Sequence, residues 1–357
     1  MDQLYTLFRV LEGSWEFAQP VHMCFVDLEK AFDRVPRGVL WGVLWEYGVR
    51  GPLLRAVRSL YDRSRSLVHI AGSKSDLFPV RVGLRQGCPL SPVLFIIFMD
   101  RISRRSQGLE GVWFGDHRIS SLFFADDVVL LASSNQDLQR ALGRFAAQCE
   151  AAGMGISTSK SEVMVLSRKR VACPLQVGGE SLPQVEEFKY LGVLFTSEGR
   201  MEREIDRRIG AASAVMRSLY RSVMVKKELK RRSSRFTGRS TFLLSPMVMS
   251  FGDRVRSSVT REELGVDPLL LHIERGQLRW LGHLFRMPPG RLPGEVFRAC
   301  PTGRRPRGRP RTHWRDYVSR LAWERLGVPP EELEEVSGER EVWASLLRLL
   351  PPRPGSG

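Results

Sequence analysis

The spacing of apolar positions along this chain changes several times, and each change predicts an element. Val21–Val26 is rich in β-formers and ends at Asp27, after which Glu29, Lys30, Ala31 and Phe32 can turn into a helix. Ser91 as an N-cap and Pro92 in the first turn open a helix whose buried body is residues 93–99. Residues 121–131 read as two short buried strands joined by a tight turn, with Asp126 and Asp127 at the tip. Residues 136–152 are apolar at helical spacing, with Leu138, Leu142, Phe145 and Ala146 on one face. Strand, helix, hairpin, helix, strand is the split-βαβ order, so the expected fold class is α+β: a twisted antiparallel sheet backed by helices on one face. A further helix over residues 201–221 carries Ile205, Ile209, Val215 and Leu219 with basic residues between. Residues 331–350 read as a last helix or two, with Trp343, Leu346, Leu347 and Leu349 available for packing.

The 357 residues, 43% of them hydrophobic, suffice for one large or two modest domains with cores. A formal net charge of +16 makes a polyanion the default partner, bound through phosphates with strong salt dependence and little sequence readout. Cys24, Cys88, Cys149, Cys173 and Cys300 lack metal-ligand spacing, which indicates neither a disulfide framework nor a zinc site and suits a reducing, intracellular compartment. His283 and His313 likewise lack partner cysteines at zinc spacing. The amino terminus has no basic stretch followed by an apolar core, and the longest apolar run is too short to cross a bilayer, so no membrane partner is expected.

Adjacent carboxylates at the end of apolar strands repel one another and lose solvation. They are tolerable when one protonates or a divalent cation neutralises both. A lone Asp-Asp more often marks a turn or a helix N-terminus. Here Asp27 is a third carboxylate at a strand end, and strand pairing that set it beside Asp126 and Asp127 would complete an oxygen-rich cluster of the kind Mg²⁺ prefers. Two-metal phosphoryl transfer needs that arrangement.

Asp27 with an aromatic five residues later, then Leu84-Arg85-Gln86-Gly87-Cys88-Pro89-Leu90-Ser91-Pro92, then Phe124-Ala125-Asp126-Asp127, in that order and spacing, resembles the reverse transcriptases of non-long-terminal-repeat (LINE-type) retrotransposons. The resemblance covers most of the chain. It implies a reverse-transcriptase palm and an RNA-directed DNA polymerase acting on an RNA template, a DNA primer and dNTPs. It also implies two Mg²⁺ ions, with Mn²⁺ as the alternative, held by Asp27, Asp126 and Asp127, Asp126 being the direct ligand of the pair. Phe32 falls at the family's aromatic steric gate, which would select deoxynucleotides. Arg85, Gln86 and Gly87 match the loop lying against the incoming nucleotide and the template. Lys160 matches a lysine proposed to protonate the leaving pyrophosphate, although a surface lysine would read the same, and Ser157 stands where the family often has asparagine. Tyr190, Leu191 and Gly192 lie in a stretch, residues 188–195, that resembles the primer-grip hairpin, a pattern an ordinary strand would share.

This reading divides the chain into a palm with partial fingers (1–222), a basic, truncated thumb or linker (223–252), a basic C-terminal region (253–350) and a disordered tail (351–357). Because the chain begins shortly before Asp27, most of the fingers and an amino-terminal endonuclease are expected to be absent, which would impair synthesis. Residues 277–287, 303–311 and 314–316 resemble the carboxyl-terminal region of the same elements. Pro306-Arg307-Gly308-Arg309-Pro310 looks like an AT-hook core. Arg304, Arg305, Arg307, Arg309 and Arg311 are candidates for general nucleic-acid contact, in a pattern shared with flexible basic linkers and nuclear-import signals. Nuclear residence is the corresponding expectation. The rival reading is a noncatalytic nucleic-acid-binding remnant of such an element. The sequence leaves the oligomeric state open.

Overall fold

The first strand, β1 (Val21–Val26), is buried at every position, as a strand is when both edges are paired and both faces covered. It follows a helix, α1 (Asp2–Glu16), and leads into α2 (Ala31–Arg34), α3 (Arg37–Glu46) and α4 (Gly51–Asp62). β2 (Arg65–Ser66) then pairs with β5 (Phe78–Pro79), and between them β3 (His69–Ile70) pairs with β4 (Ser73–Lys74). After α5 (Ser91–Ser106) come the hairpin of β6 (Val112–Phe114) and β7 (His117–Ile119) and that of β8 (Ser121–Phe124) and β9 (Asp127–Ala132). They are followed by α6 (Asn135–Ala151) and β10 (Glu162–Leu166). Two small hairpins close this part, β11 (Gln176–Val177) with β12 (Glu180–Ser181) and β13 (Glu187–Tyr190) with β14 (Val193–Thr196).

The computed structural model describes residues 1–219, 267–301, 303, 305–308 and 312–353. It divides into two units, Met1–Arg200 with Ala299–Pro306, and Met201–Arg298 with Arg307–Gly357. The first boundary thus falls before the helix at 202–219, which the sequence pattern groups with the first section. The thumb segment expected at 223–252 lies outside the described residues.

In the first unit the sheet order is β10-β1-β9-β8, antiparallel throughout, which is the expected α+β arrangement. Alternation decides what each face meets. Cys24, Val26, Val128, Leu130, Val163 and Val165 share one core with Leu40, Val43 and Leu44 of α3, Phe95 and Phe98 of α5, and Leu138, Leu142 and Phe145 of α6. Burying a side chain of this size is worth roughly 1.5–3 kcal/mol. On the opposite face Met23, Phe25, Val129 and Leu131 are also buried, and Phe25 stacks on Phe188 of β13 with ring centroids 3.8 Å apart. Ser134 caps α6 by accepting from the Asp137 amide at 3.1 Å. α5 begins one residue earlier than the cap assignment requires: Leu90 holds the cap position, and the Ser91 hydroxyl instead donates to the Arg85 carbonyl at 2.7 Å.

The second unit is helical. Its described elements are α7 (Glu202–Leu219), α8 (Leu269–Phe285), α9 (Leu292–Arg298), α10 (Trp314–Leu326), α11 (Leu333–Gly338) and α12 (Arg340–Leu349). α8 contacts each of α9 to α12 and buries Leu271, Leu278, Leu281 and Leu284. Trp343 of α12 is 1% exposed and donates its indole N–H to the Leu278 carbonyl at 3.0 Å. Its ring passes so close to Gly282 that a Cβ there would stand 2.4 Å from the indole nitrogen. Glu274, also buried, is neutralised by Arg325 at 2.9 Å and Arg353 at 2.6 Å, as a buried carboxylate requires. Arg353 belongs to the stretch expected to be a disordered tail, and this ion pair ties it down; residues 354–357 lie outside the described part. Leu349, expected to pack, is 79% exposed, and Leu350 is buried instead. Ile205, Ile209 and Val215 of α7 are each more than half exposed. Among the described residues no helix is long and apolar enough to cross a membrane.

Candidate active site

The register of β1 on β9 pairs Val26 with Val128, and one further step along two antiparallel strands sets Asp27 opposite Asp127. β8 and β9 close with Phe124 opposite Asp127, leaving Ala125 and Asp126 as the turn. Ala125 adopts φ +55°, a left-handed conformation costing an L-residue roughly 1–2 kcal/mol. By alternation Asp27 and Asp127 share the face of Phe25 and Val129, away from the core formed with α5 and α6. Tyr190 of β13 lies on that face too, its ring centroid 6.1 Å from that of Phe25. Burial, and after it the charge of Asp127, pushes the Tyr190 hydroxyl above its ordinary range.

The Asp127 carboxyl is itself raised above the usual carboxylate range, by desolvation first, then by Asp126 and then by Asp27. The three aspartates therefore share one electrostatic field. Among the described residues no three His, Cys, Asp or Glu side chains converge into a ready metal cluster. The donor set nevertheless fits a hard cation: the groups are carboxylate oxygens, and the repulsion at Asp127 is what a divalent ion would relieve.

Residues 153–161 are laced to the strand end. The Gly155 carbonyl accepts from the Glu29 amide at 2.9 Å, the Asp27 carbonyl accepts from the Ser157 amide at 2.9 Å, and the Asp27 amide donates to the Ser161 hydroxyl at 3.1 Å. These bonds bring the Lys160 ammonium 4.0 Å from Asp27 Oδ2. Ser157 contributes its main-chain N–H to this lacing, so that link does not depend on the side chain at 157.

The nucleotide-loop candidates collect beside α2. The Leu84 amide donates to the Phe32 carbonyl at 2.8 Å, and the Gly83 amide to the Val35 carbonyl at 3.0 Å. A Cβ on Gly83 would lie 2.4 Å from the Asp33 carbonyl oxygen, so this approach requires glycine. Gln86 Nε2 donates to Asp33 Oδ1 at 3.2 Å, and Arg85 reaches the Leu60 carbonyl at 3.2 Å. Phe32 stacks on the fully buried Phe95 with centroids 4.3 Å apart. Gly87 has φ +77° with open space around it. Leu191 and Gly192 form the two-residue turn between β13 and β14, both at positive φ, which is the hairpin geometry that matches strand twist.

Arg37 braces the Arg85 loop, a role its sequence context does not announce. Its guanidinium donates to the carbonyls of Gly83, Tyr61, Val80 and Val82 at 2.7–3.3 Å, and so fixes the approach to the Arg85 loop. Backbone carbonyls carry no sequence signature, so nothing in the chain could have announced these partners.

The arginine run is divided by its surroundings. Arg305 pairs with Glu16 at 2.9 Å, a carboxylate 6% exposed at the end of α1. Arg307 is exposed. Arg304, Arg309 and Arg311 lie outside the described residues.

Comparison with known proteins gives a consistent result. A family described as reverse transcriptase (RNA-dependent DNA polymerase) matches residues 4–195. The chain is 29% identical over 197 residues to a retrovirus-related Pol polyprotein from type-1 retrotransposable element R2 of Nasonia vitripennis, covering 52% of this chain and 19% of that one. It is 25% identical over 215 residues to an RNA-directed DNA polymerase from mobile element jockey of Drosophila funebris, covering 57% and 23%. Among solved structures, the apo telomerase of Candida tropicalis truncated from its C-terminal domain is similar at 14% identity and TM-score 0.40, over 55% of this chain and 37% of that one. The chain thus spans about a fifth of the length of the two curated relatives. With the match extending over more than half of its length, the chain belongs to the reverse transcriptase (RNA-dependent DNA polymerase) family.

Proposed function

We propose that this chain carries the nucleotidyl-transfer site of an RNA-directed DNA polymerase of a LINE-type retrotransposon, extending a DNA primer with dNTPs on an RNA template. The observation that carries the reading is the β1–β9 register, which sets Asp27 opposite Asp127 with Asp126 in the adjoining turn. The family is metal-dependent. Asp27, Asp126 and Asp127 would hold two Mg²⁺ ions, or Mn²⁺, which when bound supply activation of the primer 3′-hydroxyl and neutralise charge on the triphosphate. Lys160, beside Asp27, gives its proton to the departing pyrophosphate. Phe32, braced by Phe95, excludes a ribose 2′-hydroxyl by contact. Arg85, Gln86 and Gly87 seat the dNTP, and Tyr190, Leu191 and Gly192 hold the primer end. Nuclear residence is proposed on the net charge of +16, and a tagged chain excluded from nuclei would refute it.

The test is primer extension on a poly(rA)/oligo(dT) duplex with Mg²⁺ and dTTP, comparing the natural chain with Asp126→Ala. Extension that disappears in the variant supports the reading; extension that survives in it refutes the assignment of Asp126. Salt-sensitive binding by both proteins, with no extension by either, would replace this reading by that of a noncatalytic nucleic-acid binder.

A further inference from the structure

α8 carries Arg275 and Arg279 along one face, with Arg286 capping its C-terminal end, and α12 carries Arg340 and Arg348 along one of its own. These five arginines line a cleft of about 410 Å³, with Trp343 and Leu347 beneath them and no acidic side chain in its lining. Two of the five are used within the fold. Arg275 donates to the Leu347, Arg348 and Leu350 carbonyls at the open end of α12 and pairs with Asp267 at 2.6 Å, which satisfies groups that a helix terminus leaves bare. Arg286 donates to the Ser337 carbonyl at 2.6 Å. Among the described residues, Arg279, Arg340 and Arg348 have neither an ion pair nor a hydrogen bond from their side chains.

The crowding has an electrostatic signature. The Arg286 guanidinium is held below its ordinary range, by burial first and by the like charge of Arg340 second. Such a cleft is relieved by an anion, and guanidinium forks match phosphate oxygens in paired hydrogen bonds. Several forks distributed over two helices suit a chain of phosphates better than one. The floor indicates how that chain would be read. Trp343 is buried and its N–H is taken by Leu278, so its ring is not available to stack on a base, and the contacts that remain are to backbone, which carries no sequence.

We propose that the cleft between α8 and α12 is a second nucleic-acid site, which grips the phosphodiester backbone of RNA or DNA without reading bases. The proposal does not rest on the polymerase reading, because no residue of the cleft belongs to the aspartate site.

The experiment uses the full chain in EDTA without nucleotide, which removes metal-dependent binding at the aspartates. Anisotropy of a labelled single-stranded RNA and of a labelled DNA duplex, each about 20 nucleotides long, is followed from roughly 50 to 200 mM salt. Arg279→Gln/Arg340→Gln is expected to weaken binding about tenfold and to lower the slope of log K against log salt by about 1.5, since each phosphate contact contributes roughly 0.7 on single strands and 0.9 on duplexes. A loss confined to one probe assigns the cleft to that nucleic acid, and a loss on both assigns it to the shared backbone. Arg279→Lys/Arg340→Lys keeps the charge and is expected to keep the slope. Affinity and slope unchanged in the glutamine pair on both probes, or an equal loss in the lysine pair, would overturn the proposal.

Discussion

On α3 and α5, Glu46 takes Arg101 at 2.9 Å and Arg105 at 3.4 Å, while Asp100 takes Arg104 at 2.8 Å. On α8 and α12, Arg279, Arg340 and Arg348 share a cleft with no such partner among the described residues. Both hollows are lined by arginines, and their volumes are similar, about 390 and 410 Å³. The first holds three arginines and the second five, but the larger difference is in their partners: the first is nearly balanced and joins two helices, whereas the second keeps its charge for a partner. Uncompensated charge, and not the number of arginines, is what makes a surface bind polyanions. The aspartate site presents the same contrast with the sign reversed: Asp126 and Asp27 act on Asp127 as like charges, and the exposed Lys160 stands 4.0 Å from Asp27.

The sharpest way to separate the two charged sites is to disable one and read the other. Asp27→Ala should lower primer extension by at least about a thousandfold, roughly 4 kcal/mol on the barrier, while leaving the salt slope of nucleic-acid binding in EDTA as it was. A slope that fell with extension would merge the two sites into one.

Next in size is the scaffold beneath the arginine cleft. Trp343→Ala removes a buried indole and its bond to Leu278, at a cost of about 3–5 kcal/mol. Hydrogen exchange should show the amides of α8 losing protection while those of β1 keep theirs. Equal loss in both would mean that the two units unfold together.

A smaller effect probes the carboxylate field. Its folded pKa being raised, ionised Asp127 opposes folding at pH values above that pKa, and this opposition disappears below the ordinary carboxylate value near 3.8. At neutral pH, therefore, Asp127→Asn should raise the melting temperature of the metal-free protein. Mg²⁺ at about ten times its dissociation constant should stabilise the natural chain by roughly 1.4 kcal/mol, and this gain should shrink as pH falls and protons compete. Equal Mg²⁺ stabilisation of Asp127→Asn and the natural chain would remove Asp127 from the metal site.

The smallest expected change belongs to the balanced hollow. Arg101→Gln breaks a partly exposed pair, worth about 0.2–1 kcal/mol to folding, and should leave nucleic-acid affinity within about twofold, since the arginine removed was already neutralised. A tenfold loss there would dissolve the distinction between the two hollows.

Much of the sheet was legible in the sequence, because strand and helix periods are local. Residues 121–131 read as a hairpin and fold as β8 and β9, and residues 136–152 read as a helix and fold as α6, shifted by one residue at each end. Ser91 was misread as a cap because its hydroxyl found a tertiary partner, the Arg85 carbonyl, that local pattern cannot contain. The apolar stripe of α7 was legible as amphipathic, but its exposure was not, since burial belongs to what packs on a helix and not to the helix itself.

The sequence by itself determined that three aspartates would end strands of an α+β sheet, that the chain would be strongly basic, and which short stretches resembled a reverse transcriptase. Those properties live in residue type and in spacing over a few positions. Only the tertiary structure decided that Asp27 would face Asp127 across a register, that Arg37 would clamp four carbonyls, that Arg305 would be drawn to Glu16, and that two helices would pool their arginines over Trp343. Each is a meeting of groups far apart in the chain, and the energy of a charge or a hydrogen bond depends on which partner, and how little water, the fold brings to it.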